Sequence, residues 1–273
     1  MLVNAEKFEW LARLGYASRG AVFLILGYFC AVAAWGSTRP LDSHEAFRAL
    51  LAKPFGNVLL LCIVIGLFCF AAWRLFQAVL DADRCGRTIK GCCKRAVYGV
   101  AGLFYLAFGG VAVSVLVGLQ TVSGDAAARD WTARLLAWSW GQWLVGAVAL
   151  AIIGTGVGTA VAGLRAEFAD RISLPSDQKR IVAALGVVGY LTRALVFIMI
   201  GLFVFFAAIY ANANEATGVA GTLRSIQNMQ YGATLLGITA AGLLAFGAFG
   251  LSEALYRRIP GDHKTRRPSW HVM

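Results

Sequence analysis

Residues 15–23 read Gly-Tyr-Ala-Ser-Arg-Gly-Ala-Val-Phe, and residues 189–197 read Gly-Tyr-Leu-Thr-Arg-Ala-Leu-Val-Phe. In both segments an arginine lies three residues after the tyrosine, an aromatic residue follows four residues later, and a glycine follows after four more. A looser third copy contains Tyr98 but has Ala101 in place of the arginine. The motif positions are Gly15, Tyr16, Gly20, Gly27, Tyr98, Gly102, Gly109, Gly189, Tyr190 and Gly201. Three copies in one chain indicate an internal repeat.

Each copy of the motif lies at the start of a long apolar stretch. Six stretches lack Asp, Glu, Lys and Arg and can supply the roughly 20 residues that a helix needs to cross a bilayer. The sequence therefore predicts an all-α, polytopic membrane protein. The predicted spans are 15–36, 55–77, 97–119, 139–162, 187–210 and 231–254. With 59% hydrophobic and 14% charged residues, the composition excludes a soluble globular domain.

The second span of each pair carries its own signature. It begins with an aromatic residue and a glycine, as Phe55-Gly56, Trp140-Gly141 and Tyr231-Gly232. Because the two signatures alternate, the unit is a two-helix hairpin, and its three copies enter the membrane from the same side as parallel repeats. We expect a pseudo-threefold arrangement within one integral membrane domain, 1–273. The predicted repeats are 8–82, 92–170 and 180–259, with a basic cytoplasmic tail at 260–273.

Small residues in the spans predict close helix packing. The paired small residues of each motif copy lie seven positions apart, which returns to the same helix face and lets two backbones approach. Gly154 and Gly158 form a GxxxG pair in the fourth span, for which we make the same prediction.

The cations divide unevenly between the two sides of the membrane. The N-terminal segment, the second and fourth loops and the C-terminal tail hold 16 Lys and Arg residues, and the other loops hold 6. By the positive-inside rule, this predicts a multi-pass protein of the bacterial inner (plasma) membrane with both termini in the cytoplasm. Such loop cations account for the net charge of +11, and no basic, aromatic-lined groove predicts nucleic-acid binding.

The repeated Gly-Tyr-x-x-Arg opening, with its downstream aromatic residue and glycine, resembles the bacterial membrane family catalogued as domain of unknown function 1206. The resemblance covers nearly the whole chain and implies repeated two-helix membrane units. It implies no catalytic residues and no cofactor. Ala101 departs from the pattern, so a role that requires three equivalent arginines is not expected.

Ionisable residues are sparse in the spans. The middle of the predicted spans contains no Asp, Glu, Lys, Arg or His, and we find no Ser/His/Asp set and no zinc-protease motif. The sequence therefore predicts a protein that is not an enzyme and has no metal or cofactor. A polar set remains at the predicted cytoplasmic rim: Arg19, Arg74, Arg193 and Glu253.

Two interpretations of this polar set stay open. The arginines reach lipid phosphates or pair with Glu253 and loop carbonyls, or they form a site for an anion or a lipid headgroup. Aligning the aromatic-glycine signatures places Gln77 of the first repeat at the position of Glu253.

Cys85, Cys92 and Cys93 lie in the second loop, next to several cations. Their C-x6-C-C spacing matches no zinc pattern and lacks a fourth ligand, so metal binding is not predicted. A redox role for these thiols stays open.

The leading functional hypothesis is a non-enzymatic membrane protein that binds membrane lipids, or a membrane-protein partner or second copy, through its packed hairpins. The alternative is a channel or carrier for a neutral or anionic small solute. Gln142, Thr155 and Thr159 are the residues that would line a polar path. A polar central cavity favours transport, and an apolar centre favours binding.

Overall fold

Helices account for most of the described chain. The structure is a computed structural model that describes residues 5–36, 39–80, 86, 88–119, 122–166, 168, 172 and 174–256. Six long helices could cross a membrane: α1 (Ala5–Trp35), α3 (Gly56–Leu80), α4 (Ile89–Leu116), α6 (Gly141–Arg165), α7 (Ser176–Ile209) and α9 (Gly232–Tyr256). Short helices join them within each repeat: α2 (Ser43–Leu51), α5 (Gly124–Leu136) and α8 (Val219–Gln227). The prediction of an all-α, multi-pass membrane protein with six spans is confirmed.

Three of the long helices begin earlier than predicted. The predicted starts at 15, 97 and 187 are replaced by Ala5, Ile89 and Ser176. Hydropathy marks only the part of a helix that lies in the hydrocarbon core, and these helices continue beyond it with polar residues. For example, α7 carries Asp177, Lys179 and Arg180 in its first two turns.

The short helices were not predicted, although the sequence carries a signal for the first of them. Asp42 and Glu45 form a capping box, in which the Glu45 backbone N–H donates to Asp42 Oδ1 at 2.7 Å and the Asp42 N–H donates to the Glu45 carboxylate at 3.3 Å. This pairing satisfies backbone donors that would otherwise be orphaned at the start of α2.

Buried carboxylates link the three short helices into one layer. Asp42 Oδ2 accepts a hydrogen bond from the N–H of Gly124, the first residue of α5, at 2.6 Å. Asp125 Oδ1 accepts from the N–H groups of Gly218 and Gly221 at the start of α8, at 2.9 and 3.1 Å. Arg224 lies 3.6 Å from Asp125. We call this side of the molecule the short-helix face, and the opposite side, where α1 begins and α9 ends, the terminal face.

The aromatic-glycine signature marks where a short helix meets the next span. A Cβ atom on Gly56, Gly141 or Gly232 would lie 1.7–2.2 Å from a carbonyl oxygen of the preceding short helix. Only glycine allows this approach. The aromatic residues before these glycines, Phe55, Trp140 and Tyr231, are exposed, as expected for anchors at a membrane surface.

The repeats pack on one another through equivalent interfaces. The first span of each repeat packs against the second span of another, as α1 on α9, α4 on α3 and α7 on α6. We call the glycine of the aromatic-glycine signature the entry glycine. In each interface, a glycine that lies 11 residues after the motif tyrosine contacts a residue that lies 12 residues after an entry glycine. A Cβ on that glycine would lie 2.6–3.3 Å from its partner, and the pairs are Gly27 with Leu244, Gly109 with Phe68, and Gly201 with Ile153. Close packing at these glycines is confirmed.

The second repeat is more open than the others. The two spans of repeat one, α1 and α3, pack together, as do α7 and α9 of repeat three. Within the described residues, α4 and α6 share no comparable interface. The pseudo-threefold arrangement stays a prediction.

The GxxxG pair of the fourth span does not pack as predicted. A Cβ at Gly154 or Gly158 would have open space around it. Both residues face away from α7, because a third glycine of α6, Gly156, makes the contact with Ile198.

Several predictions concern parts of the chain outside the described residues. These include the tail at 260–273, Cys85, and the side chain of Cys93. Of the cations counted for orientation, the same applies to Arg84, Arg87, Arg171, Arg257, Arg258, Lys264, Arg266 and Arg267, and to the side chains of Lys7, Lys90 and Lys94.

The entry glycines predict a large difference between two substitutions in α6. Gly141→Ala should destabilise the protein by about 1–3 kcal/mol, because its methyl group must displace the backbone of α5. Gly154→Ala has room and should be neutral or stabilising by up to about 1 kcal/mol through helix propensity. Unfolding in mild detergent measures both, and equal stabilities would contradict the role assigned to the entry glycine.

Candidate functional site

The repeated motif forms one face of each first span. Side chains at positions i, i+3, i+4 and i+7 share a helix face, and the arginine and aromatic residue of the motif have the i and i+4 relationship. This face lines a single cavity. The lining residues from it are Arg19, Val22, Phe23 and Leu26 of α1, Phe104, Tyr105 and Phe108 of α4, and Arg193, Val196 and Phe197 of α7.

The cavity is apolar apart from a few groups. Its volume is about 100 Å³. Leu67 of α3 and Leu243 of α9 complete its walls, while Ser43 of α2 and Leu223 of α8 lie at the short-helix end. Among the described lining residues, Arg19 and Arg193 carry a positive charge. Both lie 16 residues, or about 24 Å, from the short-helix end of their span, which places them towards the terminal face.

Two buried phenylalanines connect the three candidate arginines. The Arg19 guanidinium carbon lies 5.5 Å from the Phe70 ring centroid and 5.1 Å from that of Phe246. Phe70 also contacts Arg74, and Phe246 also contacts Arg193, at 5.0 and 5.4 Å. Cation–π contacts of this kind gain strength when water is excluded. The structure thus brings Arg19, Arg74 and Arg193 into one cluster, which we call the arginine–phenylalanine cluster.

Arg19 is committed to an internal counter-ion. Its guanidinium Nη2 forms a hydrogen-bonded ion pair with Glu253 Oε2, and the side chains are only 4% and 3% exposed. This position excludes the interpretation in which Arg19 reaches lipid phosphates at the rim. The pair joins α1 to α9, and Arg13 reinforces the same junction by donating to the Ala254 carbonyl at 2.8 Å.

Arg193 has no counter-ion within the part of the chain that the structure describes. Among the described residues it forms neither a hydrogen bond nor an ion pair, and its buried Nε lacks an acceptor. Its guanidinium instead lies over the rings of Phe23, Phe197 and Phe246, 5.0–5.7 Å from their centroids. The arginine is therefore stabilised by ring faces alone, although a charge at this depth requires compensation.

The repeat alignment explains the missing partner. Gln77, Ala162 and Glu253 each lie 21 residues after an entry glycine. The α6–α7 interface matches the α9–α1 interface, so Ala162 stands opposite Arg193 as Glu253 stands opposite Arg19. The same spacing from the entry glycine is visible in the sequence and identifies Ala162 as the equivalent of Glu253.

Arg74 and Glu253 do not reach the cavity. Arg74 donates to Gln77 Oε1 at 3.2 Å and lies 5.1 Å from the centroid of Tyr98. Glu253 is occupied by Arg19. Of the four predicted site residues, only Arg19 and Arg193 line the cavity.

The residues predicted for a polar path lie elsewhere. Thr155 and Thr159 donate to carbonyls of their own helix at 2.8 and 2.7 Å. Thr155 is exposed on α6 and Thr159 is half-buried. Gln142 donates to the Ile209 carbonyl at 3.4 Å. None of the three lines the cavity.

Comparison with known proteins agrees with the repeat. A family model matches three segments of the chain, residues 14–81, 96–166 and 188–257. The chain belongs to the family Domain of Unknown Function (DUF1206). The DUF1206 chain is also similar to the Uncharacterized protein YxxB of Bacillus subtilis (strain 168), with 27% identity over 94% of this chain and 95% of the relative. No solved structure matches. The resemblance noted from the motif is confirmed.

The contribution of the Arg19–Glu253 pair to stability can be tested by replacing it with the neutral residues of an equivalent interface. Removing one partner of a buried ion pair costs about 3–5 kcal/mol, so Arg19→Ala should strongly destabilise the DUF1206 chain. The equivalent positions in the α3–α4 interface are the neutral Ala101 and Gln77. We therefore expect the double variant Arg19→Ala/Glu253→Gln to recover more than half of the lost stability.

Unfolding in detergent of the single and double variants measures this coupling. Arg39→Ala serves as the control, since its side chain is 65% exposed where it pairs with Glu45. Additive losses in the double variant would show that the two residues do not stabilise the bundle as a pair.

Proposed function

We propose that this DUF1206 protein binds an anionic amphiphile from the bilayer in its central cavity and performs no catalysis. The observation that carries the proposal is Arg193, a guanidinium on the wall of an apolar cavity that has no counter-ion among the described residues. An anion bound there would take the place that Glu253 fills for Arg19.

The energetics favour recognition by charge. An acyl chain gains little by moving from lipid into an equally apolar cavity, because both surroundings lack water. The headgroup must therefore supply the selectivity. A guanidinium donates to a carboxylate or phosphate in bidentate fashion, and such charge-assisted hydrogen bonds are about twice as strong as neutral ones.

We also propose the orientation that the loop cations indicate. With 16 Lys and Arg residues on one side and 6 on the other, the termini of the protein lie in the cytoplasm and the protein resides in the bacterial inner membrane. Arg193 then lies towards the cytoplasmic leaflet, where anionic lipids are concentrated.

The transport alternative has less support. Its predicted polar residues lie outside the cavity, and helices α2 and α8 contribute residues at the short-helix end of the cavity. A channel or carrier would need a continuous polar path between the two faces.

Native mass spectrometry of the gently extracted protein tests the binding proposal. We expect a co-purifying anionic lipid on the wild-type chain and its loss in Arg193→Gln. Ala162→Glu should also release it, because the new carboxylate can pair with Arg193 as Glu253 pairs with Arg19. The matched control Arg39→Gln should keep the lipid.

The same spectra report any protein partner or second copy by mass. Retention of the lipid in Arg193→Gln and Ala162→Glu would refute the proposed site. A bare wild-type chain that transports solute in liposomes would favour the channel or carrier instead.

The orientation has its own test. A fluorescent protein that matures only in the cytoplasm, fused after the C-terminal residue, should fluoresce in whole cells. A fusion inserted before Ser123, in the opposite face, should stay dark. The reverse pattern would invert the proposed topology.

A further inference from the structure

We infer that the bound amphiphile has a single alkyl chain and a carboxylate or phosphate head, and that it enters sideways between α4 and α7. This inference rests on the proposed function and names the class of ligand and its path. Four features of the cavity carry it: its length, its volume, its mouth and the single free cation among its described lining residues.

The cavity is long and apolar with its cations at one end. Arg19 and Arg193 lie towards the terminal face, and Leu223 lies at the short-helix end, where it packs in the same cluster as Cys30. On α1 the lining residues run from Arg19 to Leu26, about 10 Å of helix, and Ser43 and Leu223 line the cavity at its short-helix end. This shape suits one extended alkyl chain whose head stays beside Arg193.

The size of the cavity favours one chain over two. Its volume of about 100 Å³ is smaller than the roughly 300–1,000 Å³ of sites that enclose whole drug-sized ligands, so it has room for no more than one alkyl chain. The close interfaces α1–α9 and α3–α4 border it on two sides. A second acyl chain would have to remain outside, in the bilayer.

The mouth lies beside α4. Within the described residues, α4 shares no extensive interface with either α6 or α7. Phe104 of α4 lines the cavity and yet is 59% exposed, so it stands where the cavity meets the surroundings of the protein. Phe197 of α7 also lines this opening side and lies under the Arg193 guanidinium. An amphiphile can therefore slide in from the membrane without crossing the short-helix layer.

The headgroup must be charged. Phe23 and Phe197 contact the guanidinium of Arg193 through their rings and offer no anionic acceptor. A carboxylate or a phosphate neutralises the arginine, whereas a hydroxyl headgroup on the same chain does not. The shared chemistry is one anionic group on one alkyl chain.

The test uses the full-length protein in phosphatidylcholine nanodiscs. The probe is tetradecanoate with a photoreactive diazirine at its terminal carbon. Unlabelled competitors are tetradecanoate, tetradecyl phosphate, tetradecanol, dioleoylphosphatidylglycerol and inorganic phosphate. Peptide mapping locates the crosslink, and competition ranks the ligands. The carboxylate and phosphate arms distinguish the two possible heads.

We expect crosslinks near the short-helix end, at Val219 or Leu223, because the head is held at the other end by Arg193. Tetradecanol and inorganic phosphate should compete at least about tenfold more weakly than the better single-chain anion. Arg193→Gln should reduce labelling by a similar factor, Arg193→Lys should restore part of it, and Arg39→Gln should leave it unchanged.

Two results would overturn the inference in different ways. If dioleoylphosphatidylglycerol competes as well as the single-chain anions and still depends on Arg193, the proposed function stands and the single-chain class is wrong. If no anion competes in a way that depends on Arg193, both proposals fail. Labelling confined to the terminal face would contradict the assigned direction of the chain.

Discussion

A guanidinium held among membrane helices needs a counter-charge, and the Arg19–Glu253 pair meets this need by joining the first span to the last. Around this pair, glycines allow neighbouring helices to pack closely. The motif glycines Gly15 and Gly189 pack on Phe70 and Phe246, and these two rings in turn contact the arginines. The contact between the first and the last span therefore depends on one buried charge pair.

The three interfaces between repeats share a geometry but differ in charge. One contains arginine and glutamate, one contains Ala101 and Gln77, and one contains Arg193 opposite Ala162. Two of these combinations are neutral. Only the third leaves a cation, and that cation faces the cavity lined by the same motif. Loss of symmetry among the repeats is thus the origin of the candidate site.

The architecture could be predicted from the sequence because the length of an apolar stretch and the presence of a repeated motif are both visible within a short segment of the chain. The cluster of Arg19, Arg193 and Glu253 also followed from the repeat, although their burial did not, since depth within a bundle depends on long-range packing. The short helices escaped prediction because their amphipathic segments are brief, despite the capping box at Asp42. The packing prediction for the GxxxG pair in α6 was wrong because residue spacing identifies a shared helix face but does not show which element contacts that face.

The separation of the two charges along the chain has a consequence for biogenesis. Arg19 precedes Glu253 by 234 residues, and synthesis at about 5–20 residues per second leaves on the order of 10–50 s between them. During this interval the first span must keep its guanidinium near water, lipid phosphate or the insertion machinery. Arg19 gains its counter-ion only when the last span is in place, so a chain truncated before α9 leaves this guanidinium without Glu253. Assembly of the interface between α1 and α9 therefore has to be a late step, after the last span has been inserted.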